Sequence, residues 1–247
     1  MVTSLDDIQL EKRNSRKGGM VVELVGPAGV GKSTLFHALG KKGFPWLECQ
    51  YTPPVWKIST TPFYIKNIYK LLPIIIRQLF SNDRRITRRE LAFMAILNGW
   101  HEKLDKEVAN SNKIIVLDEG PISLMAYLNI WGPKCLFSSN MHEWWENIYG
   151  KWMHGLDMVV MLDTTDEILI WRINNRPRDH HIKGEPVPEM LDWITKYRIL
   201  NENIVSRLLS NVHAIRVLRI DSGKYSVDEI VNKVLHEFNT KVENIDQ

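Results

Sequence analysis

The sequence MVVELVGPAGVGKSTLF, residues 20–36, joins an apolar run to a glycine-rich loop and the start of a helix. The loop from Gly26 to Ser33 fits the pattern G-x-x-x-x-G-K-[ST]. In such a loop, backbone N–H groups surround phosphate oxygens, the lysine reaches the β and γ phosphates, and the serine hydroxyl binds Mg²⁺. Glycines suit this task because a backbone without Cβ atoms approaches an anion closely. The following helix N-terminus adds partial positive charge. The stretch predicts nucleotide binding through Gly26, Gly29, Val30, Gly31, Lys32, Ser33 and Thr34.

Composition indicates one large domain. The chain of 247 residues is 44% hydrophobic and 25% charged, which suits a single α/β domain over residues 19–247. Residues 1–18 are polar and lack periodicity, so we expect a flexible tail there. The net charge of +3 is too small to indicate nucleic acid as a partner.

Cysteine usage and apolar run lengths indicate a cytoplasmic protein. Cys49 and Cys135 are the only cysteines and have no C-x-x-C spacing, which is typical of a reducing compartment. The longest apolar stretch, residues 71–76, is far shorter than the roughly 20 residues that span a bilayer. We therefore expect no membrane partner. The sequence leaves the oligomeric state open, a homodimer included.

Apolar runs alternate with helical patterns along the whole chain. Strands are predicted at 20–25, 45–49, 113–118, 157–162 and 213–220. Capping boxes predict three helix starts, at Thr87 with Glu90, Thr164 with Glu167, and Ser226 with Glu229. Pro73 is expected to kink or break a helix over 62–80. Strands separated by helices predict an α/β fold with a parallel sheet, helices on both faces and ligands at the carboxyl ends of the strands.

Charged residues follow two of the predicted strands. Asp118 closes the third strand, where a carboxylate commonly holds Mg²⁺ beside a phosphate-binding loop, and Glu119 adds a second carboxylate. After the fourth strand, Arg172 and Arg176 are expected on one helical face, before Pro177 bends the chain. Phosphoryl transfer needs cations around the transferring group, and a mobile segment delivers them while excluding water. The predicted catalytic residues are Lys32, Asp118, Arg172, Arg176 and Arg178, and the predicted metal ligands are Ser33, Asp118 and Glu119.

Glu48 lies near the end of the second predicted strand, beside the expected cleft. If the phosphate acceptor is a hydroxyl, a carboxylate at this place takes its proton. If the acceptor is itself a phosphate, no base is needed and arginines replace it. Glu48 is therefore the candidate general base for the first of these two cases.

Other polar and aromatic residues have two interpretations. No second ligand pair stands at zinc spacing from His180 and His181, so a polar loop is favoured over a metal site. Tryptophans at helical spacing favour a core over base stacking; they are Trp56, Trp100, Trp144 and Trp145. A basic cluster is either a solvated helix face or a contact for an acceptor phosphate; it comprises Arg84, Arg85, Arg88 and Arg89.

Over roughly residues 20–238 the chain resembles the thymidylate kinase and deoxynucleoside kinase superfamily. The resemblance rests on GPAGVGKS at 26–33, IIVLDEG at 114–120 and RINNRPR at 172–178. It implies a P-loop NTPase fold with a five-stranded parallel sheet and an arginine-bearing lid. It also implies ATP with Mg²⁺ as donor and a nucleoside or nucleoside monophosphate as acceptor.

Two positions depart from the pattern of these kinases, and both concern the acceptor. An arginine typically follows the acidic residue after the third strand, where this chain has Glu119. The deoxynucleoside kinases also carry a glutamate before proline after the second strand, and YTPPVW at 51–56 does not match that register. The resemblance therefore supports the donor half of the site and leaves the acceptor open, a non-nucleotide metabolite included.

An NTPase that hydrolyses nucleotide to regulate a partner is the alternative function. A GTPase would carry N-K-x-D, but neither Asn112-Lys113 nor Asn232-Lys233 is followed by the required aspartate. A transporter ATPase would carry an LSGGQ-like signature, which the sequence lacks. The three arginines at 172, 176 and 178 favour a kinase.

Overall fold

The computed structural model of the protein describes residues 19–53, 58–79, 83–111, 113–210 and 215–243. The predicted tail and Trp56 lie outside these residues. The strands are β1 Met20–Val25, β2 Leu47–Tyr51, β3 Ile114–Asp118, β4 Met158–Asp163 and β5 Arg216–Asp221. All neighbouring strands pair in parallel, in the order β2-β3-β1-β4-β5. The predicted five-stranded parallel sheet is confirmed.

Helices cover both faces of this sheet. They are α1 Lys32–Lys41, α2 Thr61–Tyr69, α3 Leu72–Leu79, α4 Arg88–Ser111, α5 Pro121–Trp131, α6 His142–Gly155, α7 Asp166–Asn175, α8 Val187–Leu209 and α9 Val227–Glu243. Short 3₁₀ segments occupy Ile58–Thr60, Lys134–Phe137 and Ser139–Met141. Because successive strand residues point to opposite faces, the sheet separates two apolar cores. Helices α4, α5 and α6 pack on one face, and α1, α7 and α9 on the other.

The central strand β1 shows this division. Val21 and Val25 pack in the first core, whereas Met20, Val22 and Leu24 pack in the second. The tryptophan prediction is confirmed for two of its members, since the first core also contains Trp100 and Trp145, and Trp144 packs against it. None of the helices in the described ranges is long and apolar enough to cross a bilayer.

The helix predicted over 62–80 is two helices. The helical conformation is interrupted at Lys70 and Leu71, between α2 and α3, and Pro73 is the second residue of α3. Proline is tolerated in a first helical turn because its missing N–H has no intrahelical acceptor there. The break therefore precedes the proline instead of interrupting a helix at it.

Two of the three predicted capping boxes form. Thr87 and Glu90 exchange hydrogen bonds of 2.8 and 3.2 Å, and Ser226 and Glu229 exchange bonds of 2.8 and 3.3 Å. The box at Thr164 is wrong, because α7 begins one residue later with Thr165 as its N-cap residue. Asp163 and Arg198 hold the Thr164 backbone at the end of β4, through bonds of 2.8 and 2.6 Å.

Candidate active site

The glycine loop leaves β1 and curls around the start of α1. Gly26 has φ 148°, and a Cβ there would overlap the carbonyl oxygen of Leu162 on the neighbouring strand. Gly31 has φ 101° and is the N-cap residue of α1, where no side chain caps the helix. The first N–H groups of α1 are thus left for a ligand, and a helix N-terminus of this kind favours an anion.

Lys32 lies over this loop. Its Nζ donates to the carbonyl oxygens of Gly26 and Pro27, at 2.6 and 3.1 Å. Burial lowers the pKa of Lys32 to about 8, although the nearby carboxylates of Asp118 and Glu119 act in the opposite direction. An ammonium that is held by two carbonyl groups in a poorly solvated place gains strongly from a phosphate.

Ser33 and Asp118 meet beside the loop. The Ser33 Oγ donates to Asp118 Oδ2 at 3.0 Å. Asp118 reaches this place because β3 pairs with β1, with Asp118 opposite Leu24. Two hard oxygen groups side by side fit Mg²⁺, which proteins usually bind through one or two carboxylates and the phosphates of a substrate. Within the described ranges, no cluster of three His, Cys, Asp or Glu residues suits a metal ion.

Glu119 follows Asp118 in a left-handed backbone conformation with φ 60°. It is the one described residue other than glycine with positive φ. Such conformations cost free energy and cluster at functional sites. Glu119 lines the same cleft as Ser33 and Asp118.

A cleft of about 920 Å³ opens at the carboxyl ends of the strands. It is lined by most of the predicted site residues, namely Gly29, Val30, Gly31, Lys32, Ser33, Thr34, Asp118, Glu119, Arg172, Arg176 and Arg178. Gly26 contributes the carbonyl oxygen that holds Lys32. Of the predicted site residues, only Glu48 lies elsewhere.

The three arginines have different surroundings. Arg172, on α7, donates to the hydroxyl and carbonyl oxygens of Ser222 at 3.1 and 3.2 Å, and so ties α7 to the segment after β5. Arg176 lies just beyond α7 with an extended backbone, because a residue before proline disfavours the helical conformation. The prediction that Arg172 and Arg176 share a helical face is therefore wrong. Arg178 is exposed.

The segment 176–186 connects α7 to α8 above the cleft. Lys183 Nζ donates to the Arg176 carbonyl oxygen at 2.7 Å, and Ile182 is buried in the second core. His180 and His181 pack edge-on against Trp193 of α8, with ring centroids 5.2 and 4.9 Å away. Burial lowers the pKa of His180 to about 4, helped by the charge of Arg176. The histidines therefore belong to an aromatic contact of this segment.

Glu48 is not brought to the cleft. It lies within β2 opposite Ile115, three residues before Tyr51, which pairs with Asp118. That separation is roughly 10 Å of strand. Glu48 forms an ion pair of 2.8 Å with Lys113, and this bond holds the pKa of its carboxyl below the ordinary value. Its position removes Glu48 from the candidate site.

Two groups of cleft residues were not singled out from the sequence. One is an aromatic wall formed by Phe93, Tyr127, Trp131, Trp193 and Tyr197, which lie on α4, α5 and α8. The other follows β5 and includes Ser222 and Tyr225. The strand-end rule applied to β1, β3 and β4 would also have found the second group. The wall has no local signal, because aromatic residues at helical spacing usually indicate a core.

Glu23 is a buried carboxylate that binds the first N–H groups of α5, next to the site. It is fully buried on β1, and its carboxylate accepts the N–H groups of Ile122 and Ser123, both at 2.9 Å. It therefore caps the N-terminus of α5, which follows directly after Glu119 and Gly120. Burial raises the pKa of Glu23 from 4.5 to about 7, despite the two N–H groups.

This pKa predicts a specific pH dependence of stability. Because the folded-state pKa lies above the unfolded value, the stabilisation is fully present below pH 4.5 and is lost as pH rises through about 7. Relative to a Glu23→Gln variant, which does not titrate there, the free energy of unfolding of the wild type should fall by about 3 kcal/mol across this range. Urea denaturation of both proteins between pH 4.5 and 8 measures the difference, and a constant difference would contradict the prediction.

The strand order, the glycine loop after β1 and the carboxylate ending β3 define one architecture. The protein has a P-loop NTPase fold.

No protein-family model and no curated protein sequence matches the chain. Among solved structures, it is similar to a deoxyadenosine kinase from M. mycoides with bound dATP, at 19% identity over 89% of this chain and 100% of that one, with a TM-score of 0.48. It is also similar to the YorR protein from Bacillus subtilis in complex with phosphorylated GDP, at 17% identity over 91% and 97% of the two chains, with a TM-score of 0.49. The chemistry of this P-loop protein is therefore argued from its own residues: Lys32, Ser33, Asp118 and Arg176 line one cleft.

Proposed function

We propose that the protein transfers the γ-phosphoryl group of ATP to a small acceptor of the nucleoside or nucleoside monophosphate kind. The observation that carries the proposal is the contact of 3.0 Å between Ser33 and Asp118, in one cleft with Lys32 and Arg176. These residues bring together an oxygen pair for a metal and two cations for phosphate oxygens. That combination is what phosphoryl transfer requires.

Each group has a task on the donor side. The N–H groups at the start of α1 bind phosphate oxygens, and Lys32 moves from the loop carbonyls to the β and γ phosphates. Ser33 and Asp118 would hold Mg²⁺, with Glu119 as an adjacent ligand. When bound, the ion neutralises negative charge on the β and γ phosphates. Arg172 fixes the segment after β5 against the glycine loop.

The segment 176–186 completes the site as a lid. Arg176 and Arg178 line the cleft from this segment, and their charges would stabilise the transferring group. Ile182 anchors the lid in the second core, and the bond from Lys183 to Arg176 joins two parts of the lid to each other. A segment held in this way can cover the cleft and exclude water. Exclusion of water favours transfer to an acceptor over hydrolysis.

The aromatic wall favours a kinase over a regulatory NTPase. The cleft continues from the glycine loop to Tyr127 and Trp131 on α5, which leaves room for a second small molecule. A site that only hydrolyses nucleotide needs no such space.

We also propose that the protein is cytoplasmic, because the free thiols of Cys49 and Cys135 would stay reduced there.

Incubation with γ-labelled ATP and Mg²⁺ tests the proposal. The acceptor panel contains nucleosides, their 5′-monophosphates and sugars. We expect label in one acceptor class and little in free phosphate. If label enters only free phosphate, whatever acceptor is added, the kinase function is wrong and the alternative of a regulatory NTPase is supported.

Glu48→Gln tests the placement of Glu48 outside the site. Because the carboxylate pairs with Lys113 and does not line the cleft, we expect kcat to stay within about a factor of two of the wild type, whereas loss of a general base costs about 10²- to 10⁴-fold. The same label-transfer assay measures this. A loss near 10³-fold, with unchanged Tm, would restore Glu48 as the base.

A further inference from the structure

Arg89 stands apart in the basic cluster at the start of α4. Its guanidinium carbon lies 5.2 Å from the ring centroid of Phe93 and 4.6 Å from that of Tyr127. Arg89, Phe93 and Tyr127 all line the cleft. The two rings hold the guanidinium by cation–π contact and restrict its orientation. An arginine is thus packed against two rings of the aromatic wall.

The other three arginines of the cluster, Arg84, Arg85 and Arg88, have different surroundings. Arg84 forms a hydrogen-bonded ion pair with the buried Glu90 and donates to the carbonyl oxygen of Trp131, so it joins the start of α4 to the end of α5. Arg85 and Arg88 are exposed, as Arg89 is, but unlike Arg89 they are not among the residues that line the cleft. The cluster therefore divides into Arg84, which joins two helices, two exposed arginines outside the cleft, and Arg89, an exposed arginine in the cleft lining.

The N–H groups of Arg89 are available to a ligand. Across the described part of the chain, Arg89 contacts two rings but forms neither a hydrogen bond nor an ion pair. A guanidinium has five donors in a planar fork, and two of them can bind adjacent acceptor atoms in parallel. Trp131, Trp193 and Tyr197 line the same cleft, and their flat surfaces suit a planar ring.

We propose that Arg89 selects the phosphate acceptor by donating two parallel hydrogen bonds to the edge of its planar ring. This inference rests on the proposed function. The ligand class is a heteroaromatic ring with two adjacent hydrogen-bond acceptors on one edge. Guanine meets this condition with O6 and N7, and cytosine with O2 and N3. Adenine places an amino donor beside its ring nitrogens, and thymine places an N–H between its carbonyls, so neither offers the pair.

Two measurements test the inference independently of each other. The first is binding of the four deoxynucleosides and their 5′-monophosphates, followed by quenching of tryptophan fluorescence, since Trp131 and Trp193 line the cleft. The second is kcat/KM for label transfer from γ-labelled ATP to the same eight compounds. We expect guanine or cytosine compounds to exceed adenine and thymine compounds on the order of 10- to 100-fold in each measurement, the discrimination of one good bidentate pair.

Three variants assign the selectivity to Arg89. Arg89→Gln should remove it and shift preference toward adenine, because an amide pairs with adenine N6 and N7. Arg89→Lys keeps the charge but loses the fork, so selectivity should also be lost. Arg88→Gln, a neighbouring exposed arginine on the same helical turn, is the matched control and should leave selectivity unchanged. The Tm of each variant verifies folding.

The outcomes separate this inference from the proposed function. Selective binding without label transfer would support recognition of the ring by Arg89 and contradict the proposed kinase function. Label transfer without base selectivity would sustain the kinase and overturn the inference. Selectivity that survives in Arg89→Gln or Arg89→Lys would overturn it as well, as would binding of none of the eight compounds.

Discussion

Lys32→Ala should lower kcat for phosphoryl transfer by at least about 10³-fold and leave the fold intact. The ammonium is the cation at the glycine loop that would reach the β and γ phosphates. Its hydrogen-bond partners are the loop carbonyls of Gly26 and Pro27, so the apolar contacts of α1 do not depend on it. Label transfer under saturating ATP measures kcat, and thermal unfolding measures the Tm.

The Tm adds a second expectation for this variant. Burial lowers the pKa of Lys32 to about 8, which means that the folded state disfavours its charge near neutral pH. Without nucleotide, Lys32→Ala should therefore melt no lower than the wild type. Lys41→Ala, which removes an exposed lysine at the other end of α1, is the control and should change neither kcat nor Tm. Turnover of Lys32→Ala within tenfold of the wild type would refute its assignment.

Arg176→Ala should lower kcat on the order of 10³-fold or more, through lost stabilisation of the transferring group. Arg176 lines the cleft together with Lys32 and His180, and its charge lowers the pKa of both groups. Its carbonyl oxygen is bound by Lys183, and that backbone bond persists in the variant. The KM for ATP should change less than kcat, because the contact is made mainly in the transition state.

Two further variants define the effect of Arg176. Arg176→Lys should recover part of the loss, since it restores the charge without the bidentate fork. Lys196→Ala removes an exposed cation of α8 that pairs with Asp192, and it should leave turnover unchanged. Unchanged turnover in Arg176→Ala would eliminate Arg176 as a source of catalytic charge.

Most of the fold is readable from local patterns. The five strands, the glycine loop and the capping boxes at Thr87 and Ser226 each depend on residues close together in the chain. The errors come from tertiary contacts that override local signals. Thr164 is held at the end of β4 by Arg198 of α8, and that contact moves the start of α7 by one residue.

The donor half of the candidate site follows from the sequence for the same reason. Lys32 and Ser33 belong to one continuous motif, and Asp118 ends an apolar strand whose parallel neighbour is β1. Parallel pairing makes their strand ends coincide, as the contact of 3.0 Å between Ser33 and Asp118 shows. No long-range information beyond the sheet itself is needed.

The proposed acceptor half of the candidate site depends on tertiary structure alone. Only the register of β2 shows that Glu48 pairs with Ile115, short of the strand end, and so leaves the cleft. Only the packing of α4 against α5 distinguishes Arg89, held by Phe93 and Tyr127, from the arginines beside it. The sequence by itself determined the loop and the carboxylate of the candidate donor site, because each belongs to a local pattern. The wall that faces them comes from side chains on three separate helices, whose meeting is set by packing and leaves no pattern in the sequence.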